Sequence, residues 1–381
     1  MIELFTSPLI LGLVLLGTAL GITVGAIPGM TGTMLIALTL PMTFSMEPVS
    51  ALVLLVAMYV GAVSGGLISA TLLRMPGTPA AVMTTLDGYP MARSGQPGRA
   101  LGLGIGASLF GGVISWFAFW QLAEPMAEWS TKLGPFEIFS LVVLALALLA
   151  GVGESTRARS LLAGGLGVLA AMPGMHPATG ELRWTLGVTS MNEGFRLIPV
   201  LIGMFAIGKV LENLTSNEGK IETASEDDSP FISLSTWRHQ IGNILRSSGI
   251  GTLVGVLPGV GANIGSLAAY ATAKRVSNQP EKFGKGSEQG IVASESANNA
   301  TVGGALIPLI ALGVPGSVIG AVLLGALIVH GLQPGPLLFR QNPQVVHAII
   351  GTVLVANVIM FVLMLSGARW IARLPSVPKK I

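Results

Sequence analysis

Long apolar runs separated by brief polar stretches set the pattern of this chain. Charge-poor runs occupy roughly residues 8–27, 32–46, 49–73, 100–122, 136–152, 159–173, 195–213, 246–258, 262–275, 291–313, 318–330 and 346–366. A bilayer core about 30 Å thick needs about 20 apolar residues in a helix. The longer runs are therefore spans. The shorter ones are candidates for half-helices or re-entrant segments. Two polar stretches interrupt them. Asn213 to Arg246 contains Ser216-Asn-Glu-Gly-Lys-Ile-Glu-Thr-Ala-Ser-Glu-Asp-Asp-Ser-Pro230 and reads as a linker between two halves. Lys274 to Gln289 carries Lys274, Arg275, Lys282 and Lys285.

Composition removes most other classes. Apolar residues make up 51% and charged residues 10% of the 381. Soluble domains carry about 25% charge, and a globule with so little could not cover its surface. Runs of helical length exclude an outer-membrane barrel, whose strands alternate in segments of about ten residues. The chain has no Cys, which excludes disulfides and thiolate chemistry. Its first residues lack a basic stretch and read as a first span, not a cleaved signal. Net charge is +3; in a membrane protein such basicity marks cytoplasmic loops and implies no nucleic acid. The Arg93–Arg99 loop, the Arg157/Arg159 loop and the Lys209–Arg246 linker are separated by even numbers of runs, so all can face the cytoplasm. The Glu124–Glu137 segment and the Pro173–Arg196 loop then face outside.

The strongest signal is a duplication. Gly21-Ile-Thr-Val-Gly25-Ala-Ile-Pro28-Gly29 aligns with Gly251-Thr-Leu-Val-Gly255-Val-Leu-Pro258-Gly259 at an offset of 230. Further on, Gly65-Gly66 and Pro76-Gly77-Thr78 echo Gly303-Gly304 and Pro315-Gly316-Ser317, the last pair at an offset of 239. A single Gly-xxx-Gly string means close helix packing. Paired Gly/Pro-interrupted segments in corresponding halves point instead to a transporter's midplane site. Run 100–122 leads into acidic residues, whereas its counterpart 346–366 leads into Arg369, Arg373, Lys379 and Lys380. That contrast favours an inverted repeat. The expected fold is an all-α polytopic membrane protein with about ten to twelve spanning or half-spanning helices, and Pro-Gly breaks at the midplane. Its expected organisation is a first repeat at 1–135, connecting spans at 136–213, a cytoplasmic linker at 214–245 and a second repeat at 246–381, the last shortened at its C-terminal side.

The breaks carry the candidate chemistry. Pro removes a backbone donor, and the next helix restarts after it. A restarting helix offers free N–H groups and a positive dipole end to a carboxylate. Unwound carbonyls suit Na⁺. The substrate-binding candidates are Pro28, Gly29, Thr31, Gly32, Thr33, Gly77, Thr78, Pro258, Gly259, Gly261, Asn263, Asn298, Asn299, Gly316 and Ser317. Coupling-ion candidates are Glu295, Asn299, Thr301, Ser64 and Asp87. Glu295 and Asn299 share a helix face at i, i+4. Glu295 has two readings: an intramembrane functional acid, or a helix-start acid just outside the bilayer. For Asp87, in Leu86-Asp87-Gly88-Tyr89-Pro90, an Asx-type turn is the favoured reading. Single Ser/Thr residues at the breaks also fit plain helix caps.

Enzyme motifs fail. Gly203-Met-Phe-Ala-Ile-Gly208-Lys209-Val210 lacks the Mg²⁺-binding Ser/Thr of a phosphate loop and does not follow a strand. Ser64 has no evident His partner for a hydrolase, and His176, His239, His330 and His347 show no metal spacing. Any transport is then driven by a gradient or by partners.

Gly25-x-x-Pro28-Gly29, Pro76-Gly77-Thr78-Pro79-Ala80-Ala81, Leu86-Asp87-Gly88-Tyr89-Pro90, Gly255-x-x-Pro258-Gly259-x-Gly261-Ala262 and Glu295-Ser296-Ala297-Asn298-Asn299-Ala300 together resemble the TctA family. That family is the large membrane subunit of the tripartite tricarboxylate transporters. The resemblance runs from the first span to the last residue. It implies a multi-pass protein of the bacterial inner membrane that imports carboxylates by sodium or proton symport, with an elevator-like movement. It also implies two partners, a TctB-like small membrane subunit and a TctC-like periplasmic solute-binding protein, and no cofactor beyond the coupling ion. Family members continue through further spans after Pro375-Ser-Val-Pro378-Lys-Lys, so a fragment, a truncated gene or a minimal member is expected here. The alternatives are a stand-alone carboxylate carrier and, less favoured, a membrane-embedded enzyme.

Overall fold

The computed structural model describes residues 5–134, 157–175, 181–192, 229–258 and 260–371, with scattered positions between 136 and 211. Among them the protein is helical apart from one antiparallel two-strand ribbon, β1 (Gly174–Met175) with β2 (Leu182–Arg183). The first half comprises α1 (Pro8–Ala26), α2 (Gly32–Thr39) continuing into a 3₁₀ turn (Leu40–Ser45), α3 (Pro48–Leu73), α4 (Val82–Arg93) and α5 (Pro97–Ser130). Helix α6 (Arg157–Ala171) follows. The second half comprises α7 (Leu234–Val256), α8 (Gly261–Val276), α9 (Glu288–Leu312), α10 (Val318–Val329), α11 (Pro336–Gln341) and α12 (Pro343–Ile371). Within each half, a long helix, a short helix, a long helix, a short helix and a long helix follow one another, with α11 as an extra turn in the second.

Local chemistry sets the boundaries. Pro8, Pro48 and Pro97 occupy first-turn positions of α1, α3 and α5, where the missing N–H costs nothing. Ser233, Ser287 and Ser317 cap α7, α9 and α10 by accepting the N–H of Thr236, Gly290 and Gly320. Helix α3 stops at a left-handed Arg74, and α9 at a left-handed Gly313.

Helices α3 and α9 form the centre. Every residue of α3 from Ser50 to Leu72 is buried, as is every residue of α9 from Gly290 to Ala311. Neither has a lipid-facing stripe, so neither is amphipathic. The outer helices α1, α5 and α12 expose Leu15, Leu16, Leu20, Phe117, Trp120, Val358 and Val362, the surface expected against lipid tails. Small residues set the inner spacing. A Cβ on Gly21 of α1 would lie 2.5 Å from the Met58 carbonyl oxygen and 2.7 Å from the Ala62 nitrogen of α3. A Cβ on Gly255 of α7 would lie 2.7 Å from the Thr301 carbonyl oxygen of α9. At both crossings backbone meets backbone, the packing mode of helices that gain nothing from hydrophobicity in lipid.

Contact order fixes directions. Helix α5 runs parallel to α9: Arg99 meets Glu288, Ser108 meets Glu295, and Ser130 meets the Ala311 carbonyl. Helix α5 runs antiparallel to α3: Leu101 and Ile105 share a core cluster with Leu67, Ile68 and Leu72, while Phe119 and Ala123 cluster with Leu52 to Met58. It follows that α3 and α9 point in opposite directions. Helix α1 climbs alongside α3, with Gly17 at Leu54, Gly21 at Met58 and Gly25 at Ala62. It stops at Pro28, level with the middle of α3. Helix α7 climbs alongside α9 from the opposite end, with Gly251 at Ala297 and Gly255 at Thr301. It stops at Pro258, level with the middle of α9.

Four described helices are long and apolar enough to cross a membrane: Pro8–Ala26, Pro48–Leu73, Pro97–Ser130 and Pro343–Ala368. The remaining apolar runs differ from the hydropathy reading. Run 32–46 is a short helix plus a 3₁₀ turn, because Pro41 ends the α-helical ladder. Run 246–258 is the second part of a longer helix that starts at Leu234, inside the stretch expected as linker; Arg238 and His239 hide its first turns from hydropathy. Most of runs 136–152 and 195–213, and residues 212–228, lie outside the described residues.

Candidate functional site

The two Pro-Gly tips sit at half height. After α1 the backbone of Ile27 is extended and Gly29 takes φ +82°, a conformation that glycine adopts without penalty. Thr31 then caps α2 by accepting the Met34 N–H at 3.2 Å. Gly32 and Thr33 are buried, and a Cβ on Gly32 would meet Ala62 of α3 and Ile319 of α10. At the second tip Leu257 is extended, Gly261 takes φ +72° and Asn263 is exposed. Pro258 is half-buried, and Gly259 lies outside the described residues. Each tip thus presents the first turn of a helix, whose N–H groups have no partner within the helix itself, at the level of the middle of a central helix.

The second Pro-Gly elements seat directly on the tips. Gly77 packs against the carbonyl oxygen of Gly25 and the Cα of Gly66. Gly316 packs against the carbonyl oxygen of Gly255 and the Cα of Ala305. Ser317 caps α10 and lies 3.2 Å from the Tyr59 hydroxyl. Thr78 packs against Gly66.

A buried polar cluster joins α3, α4, α5 and α9 beside them. The Ser64 hydroxyl donates to Asn299 Oδ1 at 2.6 Å, and Asn299 Nδ2 donates to Ser108 Oγ at 2.7 Å. Ser108 donates to Glu295 Oε2 at 3.3 Å, and the Thr84 hydroxyl donates to Glu295 Oε1. Thr84 also lies 3.1 Å from Ser294 Oγ. Asn298 Nδ2 donates to the Val63 carbonyl at 3.4 Å, and Thr301 donates to the Asn298 carbonyl at 2.6 Å. Glu295 is fully buried within α9, so the reading as a helix-start acid outside the bilayer is set aside. Among the described residues its carboxyl is held by the Thr84 and Ser108 hydroxyls and the Asn298 side chain, and no basic side chain pairs with it.

Asp87 belongs to a different arrangement. It lies inside α4 and makes no Asx turn. Its Oδ1 accepts the backbone N–H groups of Gly284, Lys285, Gly286 and Ser287 at 2.7–3.1 Å. Its Oδ2 accepts the Tyr270 hydroxyl at 2.8 Å. These five donors tie α4 to α8 and to the loop before α9. The lone pairs of the carboxylate are committed to the protein, which makes Asp87 a structural tie and leaves no room for it as an ion ligand.

The structure brings Ser64, Glu295, Asn298, Asn299 and Thr301 together on α3 and α9, and places Gly32, Gly77, Gly316 and Ser317 against α3, α9 or the helix tips beside them; Thr33 is buried in α2. Sequence reasoning missed Thr84, Ser108, Tyr59 and Tyr270. Thr84 and Ser108 lie in helical runs where back-bonding of a hydroxyl to its own turn is the ordinary reading, and Tyr59 and Tyr270 lie in apolar helical runs where an aromatic reads as core packing. His330 meets Thr43 Oγ1 at 3.1 Å, and His176 lies outside the described residues. Among the described residues no three His, Cys, Asp or Glu side chains cluster as metal ligands.

The model of the tripartite tricarboxylate transporter TctA family matches residues 11–381. An uncharacterized 52.8 kDa protein in the TAR-I ttuC' 3' region of Agrobacterium vitis is 33% identical over 347 residues, covering 91% of this chain and 69% of its own length. An uncharacterized protein in the TAR-II ttuC' 3' region of the same organism is 38% identical over 113 residues, covering 30% of this chain and 47% of its own length. No solved structure matches.

Proposed function

The chain belongs to the tripartite tricarboxylate transporter TctA family, and from that premise we propose that it is the large permease subunit of a binding-protein-dependent secondary transporter. In this reading it imports tricarboxylates or related carboxylates across a bacterial inner membrane. A sodium or proton gradient drives it, a TctC-like periplasmic binding protein delivers substrate, and a TctB-like small membrane subunit assists.

One observation carries the reading. Two helices enter from opposite ends, break at Pro28 and Pro258 at half height, and restart beside a buried cluster around Glu295 and Asn299. Irregular backbone at membrane depth persists only where protein buries it or a wet cavity borders it. The restarting first turns of α2 and α8, with Thr31, Thr33 and Asn263, supply donors for substrate carboxylates. Ser64, Glu295, Asn299 and Thr301 supply oxygens and a titratable group for the coupling ion. The opposed directions of α3 and α9 support reading the halves as an inverted repeat, whose rocking or sliding alternates access. Arg93, Arg99, Lys274 and Arg275 gather at the end where α3 finishes, which supports a cytoplasmic assignment for that end.

The test is uptake of a labelled carboxylate panel by cells expressing the chain, with and without the two partners and with and without sodium. Uptake that needs the partners and a cation gradient is expected. Uptake without any soluble partner would replace this reading by a stand-alone carrier, and no uptake with partners and gradients present would overturn it.

A further inference from the structure

Two pairs of residues occupy matching places across the halves. Positions 59 and 298, and positions 78 and 317, both differ by 239. The same spacing relates Gly77 seated on Gly66 to Gly316 seated on Ala305. The pair Tyr59 with Ser317 therefore has its counterpart in Asn298 with Thr78.

The first pair is closed, with Tyr59 Oη 3.2 Å from Ser317 Oγ. The second is not. Asn298 Oδ1 and Thr78 Oγ1 are both buried, and among the described residues neither has a hydrogen-bond partner. The difference follows from side-chain length, since an asparagine reaches roughly half as far from its Cα as a tyrosine. Both residues are held by one face of α3, Asn298 at Val63 and Thr78 at Gly66, one helical turn apart. A third oxygen is reached through the residue before Thr78. Gly77, which precedes Thr78, rests on the carbonyl of Gly25, in the last turn of α1 where carbonyls lose their helical donors.

Polarity decides what fits. Asn298 Nδ2 donates to the Val63 carbonyl, which leaves Oδ1 as the unpartnered acceptor of that amide among the described residues. An acceptor repels a carboxylate and receives a cation or a donor. The oxygens are neutral, and the described residues offer no carboxylate cluster for a divalent ion. We propose that Asn298 Oδ1, Thr78 Oγ1 and the Gly25 carbonyl form a binding site for a small monovalent cation of the sodium class. This moves Asn298 and Thr78 from the substrate set to the ion set. The proposal deepens the transport reading, but binding is measurable apart from transport.

The experiment measures sodium binding to the purified chain in detergent by radioactive sodium retention, and thermal unfolding in sodium chloride against choline chloride. Wild type is expected to retain sodium and to unfold at a higher temperature in sodium than in choline. Thr78→Val should lower sodium affinity at least about tenfold, about 1.4 kcal/mol. Thr78→Ser should restore it. Thr23→Val, a lipid-side hydroxyl bonded within α1, should leave it unchanged. Absence of sodium retention in wild type, which leaves the site to water, overturns the proposal. So does equal affinity in Thr78→Val and wild type. If Thr78→Val does not fold, Asn298→Asp decides: an added carboxylate should tighten sodium binding, and unchanged affinity overturns the site. Sodium binding that persists while uptake ignores sodium supports the site and refutes sodium coupling.

Discussion

Asp87→Ala is the sharpest test of how the halves are joined. The carboxylate accepts five hydrogen bonds, four from the backbone of Gly284 to Ser287 and one from Tyr270. The N–H groups of Gly284, Lys285 and Gly286 lie in a partly exposed loop, where water can replace the acceptor. The donors of Ser287 and Tyr270 are buried and cannot be rescued that way. An unpaired buried donor costs about 1–3 kcal/mol, so alanine should destabilise by about 4 kcal/mol. Asparagine keeps an oxygen for the loop and loses the charge, which should cost about 1–2 kcal/mol. Thermal unfolding in detergent gives the order wild type, Asn, Ala. Hydrogen exchange should show protection at residues 284–287 lost in the alanine variant. Alanine within about 1 kcal/mol of wild type, with that protection intact, would refute the tie.

Gly21→Ala should destabilise by about 1–3 kcal/mol by forcing α1 off the backbone of α3, whereas Gly12→Ala, with nothing within 4 Å, should be neutral or slightly stabilising; equal unfolding temperatures would refute the crossing. Glu295→Gln should lower partner-dependent uptake about tenfold or more, about 1.4 kcal/mol, or abolish its ion dependence; unchanged uptake and ion dependence remove it from the coupling set. Tyr59→Phe should cost about 1 kcal/mol through the lost Ser317 contact, measured by thermal unfolding.

What the sequence shows and hides has physical causes. The Pro-Gly tips are legible because a proline removes its own donor, whatever the tertiary context. Glu295 and Asn299 are legible as one face because i, i+4 geometry is local, and Asn299 Nδ2 indeed reaches the Glu295 carbonyl. The role of Asp87 is hidden because its partners lie 183 to 200 residues away. A local reading can only see Gly88 and Pro90 beside it, which say turn. The depth of α9 is understated because Ser294 to Asn299 dilute its hydropathy, although all of them are buried. The start of α7 is hidden for the opposite reason. Its first turns carry Arg238 and His239 and rest on α5, where Trp237 meets Phe110 and the place of a Cβ on Gly106.

The ties between halves are unequal, and that inequality has a consequence for opening. At the end where α3 finishes, α4 of the first half is held to α8 and its following loop by the five donors on Asp87. At the opposite end, α10 of the second half meets the 3₁₀ turn after α2 through one hydrogen bond, Thr43 to His330 at 3.1 Å. A neutral hydrogen bond contributes about 1 kcal/mol, and one to a charged group about 1.5–3 kcal/mol. Local opening follows the weaker set of contacts. The segment 40–45 should therefore exchange its amide hydrogens faster than 284–287, and His330→Ala should speed exchange at 40–45 without touching 284–287. Slower exchange at 40–45 than at 284–287 in the wild type would show that apolar packing, with Leu40 in the main core cluster, outweighs the polar ties in setting which end opens.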